Sequence, residues 1–172
     1  MAFRESRPPE DAATLELGPD FDRKRVRCLW NSEVAIILNH HINQKREAAD
    51  ADDSAEISPM IQQTLNYVQK FSNYKTKEAI TSARELVKDV DAQGNPVSNR
   101  YADLDQFEIA AINNLNIQTV EEARTLIPSL NTLGKRIQAR LDPSGEGRIP
   151  PEFDPDAVIE SLLEDLHRYQ NV

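Results

Sequence analysis

The stretch "TVEEARTLIPSL", Thr119 to Leu130, holds a helix start and a helix stop in close succession. Thr119 followed by Glu122 is a capping-box pattern, in which the hydroxyl accepts a backbone N–H and the glutamate reaches back. Val120, Ala123 and Leu126 fall on one face of the helix that follows. Pro128 ends it, because the residue before a proline is pushed out of the α region. The segment carries no nucleophile, no metal-ligand set and no glycine loop, so its task is architectural.

Working outward, the same kind of signal recurs. Asp105 with Glu108 forms a second capping box and opens "DQFEIAAINNL", with Phe107, Ala111 and Leu115 expected inward. Thr76 caps a helix predicted to bury Ile80, Ala83 and Leu86 or Val87. Ser58-Pro59 starts another helix with proline at its first position. There Ile61, Leu65, Val68 and Phe71 repeat at helical spacing, flanked by Met60, Tyr67 and Tyr74. "NSEVAIILNHHINQ" has Asn31 or Ser32 as cap and Glu33 at the positive helix end. Leu29, Trp30, Val34, Ile37, Leu38 and His41 give it a broad apolar side.

At the other end, Asp154 and Pro155 cap a last helix that runs to about Tyr169, with Val158, Leu162, Leu163 and Leu166 apolar. "KREAADADDSAEI" reads as a solvated loop or a fraying helix end. Residues 91–104 and 131–153 are rich in Gly, Pro and polar residues and read as surface loops. About six helices without an internal repeat make the class all-α.

The N-terminal part differs. Residues 1–13 are polar and proline-containing, a flexible tail. In "ATLELG", Leu15 and Leu17 alternate with Glu16 before Gly18-Pro19, a short strand signal with no partner strand in the chain. Such a strand is expected to add to another molecule's sheet. The organisation is therefore a tail over 1–13, a partner-binding strand and helix over 14–56, and a helical domain over 57–172.

The totals bound the function. The 172 residues have a net charge of −9 and a mean hydropathy of −0.60, with 39 % hydrophobic residues. That is one ordinary domain or a small domain with extensions. An acidic chain lacks the clustered Lys and Arg of a general nucleic-acid binder. One cysteine, Cys28, excludes an internal disulfide and a cysteine-built zinc site, which fits a reducing compartment. The N-terminus has no apolar run of signal-peptide length, and no window suggests a membrane span.

Candidate chemistry is sparse. His40 and His41 point about 100° apart on a helix and cannot jointly ligate an ion as an i, i+4 pair can. His167 stands alone, and Cys28 has no paired base. Asp50 to Asp53 lacks the glycine and terminal glutamate of a calcium loop. Glu121-Glu122 and Glu164-Asp165 suit helix-end electrostatics or solvent. No catalytic residue, cofactor or metal is expected.

"NYVQKFSNYKTKEA" stands apart, because Tyr67, Lys70, Phe71, Tyr74, Lys75 and Lys77 mix rings with positive charge in an acidic protein. That combination can hold single-stranded nucleic acid by stacking and phosphate contact. The ordinary alternative is core rings beside solvated lysines. Lys135, Arg136 and Arg140 form a second basic cluster, expected in an exposed loop.

Several stretches together resemble one family, the fourth subunit of eukaryotic RNA polymerase II. They are "LWNSEVAIIL" (Leu29 to Leu38), "TLNYVQKFSNYK" (Thr64 to Lys75), "FEIAAINNL" (Phe107 to Leu115) and "TVEEARTLIPSL", in the family's order, with "IESLLEDL" similar to its last helix. The resemblance implies a small helical bundle similar to the helicase-and-RNase-D C-terminal domain. It implies an extended N-terminal segment and first helix that grip the seventh subunit, and a non-catalytic place in the polymerase stalk, near the clamp and the RNA exit path. It further implies the polymerase core as partner, nascent RNA reached through the heterodimer, support of transcription initiation and RNA-factor recruitment, and a nuclear location with a cytoplasmic share. The expected seventh-subunit contact is Leu15, Leu17, Leu29, Trp30, Val34, Ile37, Leu38 and His41. The competing expectation is an autonomous single-stranded nucleic-acid-binding helical module.

Overall fold

A computed structural model describes residues 10–18, 21, 26–48, 57–88, 99–142 and 154–170. Among them the chain is all-α, with α1 (Asn31–Ala48), α2 (Pro59–Lys70), α3 (Lys77–Leu86), α4 (Gln106–Leu115) and α5 (Val120–Leu126). A 3-10 turn (Pro128–Thr132), α6 (Leu133–Leu141) and α7 (Pro155–Gln170) follow.

Local chemistry sets most of the boundaries. Thr76 Oγ accepts from the Ala79 N–H at 3.1 Å and starts α3. At α4 the capping box is complete: Asp105 accepts from Phe107 at 2.8 Å while Glu108 takes the Asp105 N–H at 2.8 Å. At α5, Thr119 accepts from Glu122, but the Glu122 carboxylate reaches one residue further back, to the Gln118 N–H at 2.9 Å. Asn116 ends α4 in the left-handed region at φ 54°, which asparagine tolerates, and lets the Ile117 N–H return to the Ile112 carbonyl. The cap of α1 differs from expectation. Glu33 takes the backbone N–H of Trp30 at 2.8 Å, so the helix is started by its own third residue rather than by an Asn31 or Ser32 side chain.

Two apolar clusters hold the helices. The larger gathers Trp30, Tyr74, Ile80, Ala83, Tyr101, Ile109, Ile112, Ile117, Leu130, Leu133, Ile137, Ile159, Leu162 and Leu166, so α3 to α7 and the start of α1 share one core. The smaller, Ala35, Ile42, Leu65 and Val68 with Val34, Leu38, Ile57 and Ile61 at its edge, joins α1 to α2 as a hairpin. α1 thus serves both.

Four expectations are corrected. Residues 131–141 are not a loop: Leu133 and Ile137, one turn apart, are buried in α6. Gly134 lies where α6 passes Pro155 of α7. Tyr101, expected in a surface loop, is buried and donates to Asp165 at 2.5 Å. In α4 the inward face is Glu108, Ile109, Ala110, Ile112 and Asn113, while Leu115 is exposed. In α5 Ala123 is buried but Leu126 is exposed, and Ile127 and Leu130 fill that space instead.

The N-terminal strand does not form in this chain either. Residues 12–15 make a turn closed by hydrogen bonds between Asp11 and Glu16, with Leu15 at φ 62°. Three alternating residues with no partner strand leave their backbone groups unpaired, so the chain closes on itself.

Candidate functional site

The start of α1 is fixed by a compact polar and aromatic assembly. The Trp30 ring stacks on Tyr74 at 5.7 Å with a 22° interplanar angle, and the Arg84 guanidinium lies 4.0 Å from the centre of the indole. Arg84 Nε donates to Glu33 Oε1 at 2.9 Å, its second amino group meets Oε2, and it also donates to the Cys28 carbonyl at 3.1 Å. Ser72 donates to Ser32 at 2.7 Å, and the Asn31 N–H to Asn114 at 2.9 Å. The helix is thereby anchored to α3, α4 and the segment after α2. Burial pushes the Cys28 thiol up, with Asp105 adding to the effect and Arg84 opposing it, so the thiol is a packing group.

This assembly divides the expected partner contact. Trp30 is 1 % exposed and belongs to the chain's own core, so it is corrected out of the surface set. Leu29 and Ile37 are exposed, at 42 % and 52 %. Val34 and Leu38 are half-buried against the hairpin core, Leu15 and Leu17 are half-buried, and His41 is exposed. Ile37 and His41, four residues apart, lie on one outward stripe of α1, with half-buried Val34 at its edge.

The aromatic and basic set divides in the same manner. Tyr74 is buried under Trp30, and burial pushes its hydroxyl up to about 12, so it cannot stack on a base. Tyr67 is exposed, and its ring sits 4.8 Å from Phe71, which is also exposed. The Lys70 ammonium lies 5.6 Å from the Phe71 ring centre. Phe71, which the sequence reading put both on the Ile61–Leu65–Val68 repeat and in the aromatic and basic set, lies at this surface. Its i, i+4 spacing from Tyr67 was the available signal. Met60, 74 % exposed, continues the stripe toward the start of α2. Lys75 and Lys77 line a cavity of about 380 Å³ together with Asn39, Gln69, Ser72, Tyr74 and Thr76.

The remaining polar residues tie elements together. Fully buried Glu108 accepts from Ser129 at 2.6 Å and from Arg136 at 2.7 Å. Arg136 also donates to the Asp103 carbonyl, and Arg140 grips the Asp103 carboxylate with two bonds of 2.6 Å. Arg136 and Arg140 are therefore corrected from a loop to α6, where half-buried Arg136 and exposed Arg140 both clamp Asp103. Arg124 pairs with Asp156, joining α5 to α7.

His40 and His41 are both exposed on α1. Asp50 to Asp53 lie outside the described residues. Among the described residues no three His, Cys, Asp or Glu side chains gather as a metal site, and no helix is long and apolar enough to cross a membrane.

Comparison with known proteins gives a consistent result. The family model described as RNA polymerase Rpb4 matches residues 28–170. DNA-directed RNA polymerase II subunit 4 of Arabidopsis thaliana is 34 % identical over 157 residues, covering 91 % of each chain. DNA-directed RNA polymerase II subunit rpb4 of Dictyostelium discoideum is 32 % identical over 146 residues, or 77 % of this chain and 85 % of that one. The protein of the same name from Schizosaccharomyces pombe is 31 % identical over 121 residues, or 70 % and 77 %. The matched span runs from the segment that leads into α1 to the last residue of α7, and so takes in every helix described above. The chain belongs to the RNA polymerase Rpb4 family.

Proposed function

We propose that the chain is the fourth subunit of nuclear DNA-directed RNA polymerase II and has no catalytic step of its own. The observation that carries this reading is the near end-to-end match to a relative named as that subunit. The chain's ion pairs support it as well. Glu33 with Arg84, Glu108 with Arg136, Asp103 with Arg140 and Arg124 with Asp156 each join separate segments, as befits a scaffold.

Within the enzyme the chain pairs with the seventh subunit to form the stalk, by the clamp and the RNA exit path, and supports initiation and RNA-factor recruitment. The contact uses Leu29, just before α1, and Val34, Ile37, Leu38 and His41 on α1, together with Leu15 and Leu17. Exposed Ile37 on the outward side of α1 and exposed Leu29 just before it support that assignment. For the N-terminal segment to add a strand to the partner, the turn at 12–15 has to open, which relieves the left-handed Leu15. Co-expression with the seventh subunit and copurification from the source nucleus test the reading. A soluble, monodisperse chain that recovers no polymerase subunits sinks it.

A second reading, single-stranded RNA binding by the chain itself, has one observation in its favour: the exposed Tyr67–Phe71 ring pair beside Lys70. Salt-dependent RNA binding by the isolated chain separates the two. With a net charge of −9 the polymerase-subunit reading expects weak binding.

A further inference from the structure

Ser58-Pro59 is the only place in the 172 residues where a serine or threonine directly precedes a proline. A proline in that position is the feature read by proline-directed protein kinases. Ser58, Pro59 and Met60 are all exposed. Ser58 has φ −48° and ψ 133°, an extended, polyproline-like backbone that a kinase cleft can accept without unfolding α2. Its hydroxyl makes no cap hydrogen bond although it occupies the N-cap position.

The surroundings show what a phosphate there does. The first intrahelical bond of α2 runs from the Gln62 N–H to the Ser58 carbonyl at 3.1 Å. The N–H groups of Met60 and Ile61 precede that bond and have no i−4 acceptor, while Pro59 has no N–H. No acidic residue stands in the first turn of α2, whereas α3 and α4 each have one and α5 has two. α2 and α6 both lack a side-chain cap and an acidic residue in the first turn, but α6 continues directly from the 3-10 turn, whereas α2 starts at Ser58-Pro59.

We propose that Ser58 is a phosphorylation site for a proline-directed kinase, and that the phosphate acts as the missing cap of α2. Ser58 Oγ attacks the γ-phosphorus of a magnesium-bound nucleoside triphosphate. The Oγ–P bond forms, the bond to the β-phosphate oxygen breaks, the hydroxyl proton passes to the kinase's base, and the nucleoside diphosphate leaves. The phosphoryl oxygens then accept from the Met60 and Ile61 N–H groups, and the added charge of about −2 faces the positive helix end. Because α2 rests on the small cluster of Ala35, Ile42, Leu65 and Val68, a cap changes how often it opens.

The test uses the full chain with magnesium-ATP and a purified proline-directed kinase, read by mass spectrometry and by amide hydrogen exchange. The expected result is one phosphate, on Ser58, absent from Ser58→Ala. Amide exchange in Leu65 to Val68 should slow by about three- to tenfold, the range of a helix cap plus a terminal charge. Ser58→Asp should slow the same amides in part. Modification of a peptide spanning residues 54–64 but not of the folded chain overturns the site. A phosphate on Ser58 that leaves α2 exchange unchanged or faster overturns its role as a cap.

Discussion

Arg84 lies over the Trp30 indole, 4.0 Å from the ring centre, while the same guanidinium holds both oxygens of Glu33. One side chain thereby secures the aromatic core and the cap of α1. Lysine can supply the charge but neither the flat stack nor the fork. Arg84→Lys is expected to cost about 1–3 kcal/mol. For a chain of this size that lowers the melting temperature by roughly 2–4 °C per kcal/mol. A cycle with Glu33→Gln should give a coupling of about 0.5–3 kcal/mol by denaturant melts.

Glu108 is the most deeply buried charge among the described residues, and it holds Ser129, Arg136 and the Asp105 N–H together. Glu108→Ala removes the acceptor of three hydrogen bonds at once and leaves Arg136 facing a void. A loss of about 3–5 kcal/mol is expected. Glu108→Gln combined with Arg136→Met should cost clearly less than Glu108→Ala, since no partner is left charged and unpaired. Equal losses in urea melts would contradict this account.

Burial raises the Tyr74 hydroxyl from 10.0 to about 12. The native state therefore keeps its proton where the unfolded state has lost it, so stability falls as pH rises. The contribution is complete below pH 10 and is lost between pH 10 and about 12, at up to roughly 1.4 kcal/mol per pH unit. Burial and the bond to Asp165 also raise Tyr101, which extends the loss to more alkaline solution. Melts at pH 9 to 11.5 should show a shallower decline for Tyr74→Phe than for the parent chain.

Gly134 lies inside α6, where a glycine costs roughly 0.5–1 kcal/mol relative to alanine. A Cβ there would stand 3.4 Å from Pro155 Cγ and 3.8 Å from its Cβ, which is ordinary contact. Gly134→Ala is expected to raise stability by about that amount, measured by thermal melting. A drop would mean that the α6–α7 approach is tighter than these distances indicate.

Ile37 is half exposed on the outward stripe of α1, so Ile37→Asp should leave the isolated chain within about 0.5 kcal/mol of its parent. Copurification with the seventh subunit should fall at least tenfold, and further with Leu17→Asp. Undiminished recovery of the complex would place the contact elsewhere.

What could be read from the sequence was what local chemistry decides. Thr76, Asp105 and Thr119 marked helix starts because a capping oxygen acts within three residues. The all-α class followed from those starts and from helical spacing. α6 escaped because Gly134 and a run of cations hide the pair Leu133 and Ile137. Tyr101 escaped because its loop gives no sign of Asp165, far along the chain. Trp30 was placed on a surface, and Tyr74 was left between a surface and the core, because a ring that packs on its own chain looks the same, in sequence, as one that packs on a partner. The exposure of Phe71 has the same origin: spacing shows that residues share a face, not which neighbour covers it.

The division of α1 between two apolar clusters has a thermodynamic consequence. Its first turns belong to the main body through Trp30, whereas its later turns and all of α2 rest on four buried aliphatic residues. Such a hairpin is too small to persist as an independent unit and sits at the low end of the local-stability range. It can melt while the body stays folded, with Trp30 as the point where the unravelling stops. A macromolecule that grips the outward side of α1 binds only the closed hairpin, so its free energy adds directly to the hairpin's own. The order of α2, followed by amide exchange, then serves as a gauge of whether that molecule is in place.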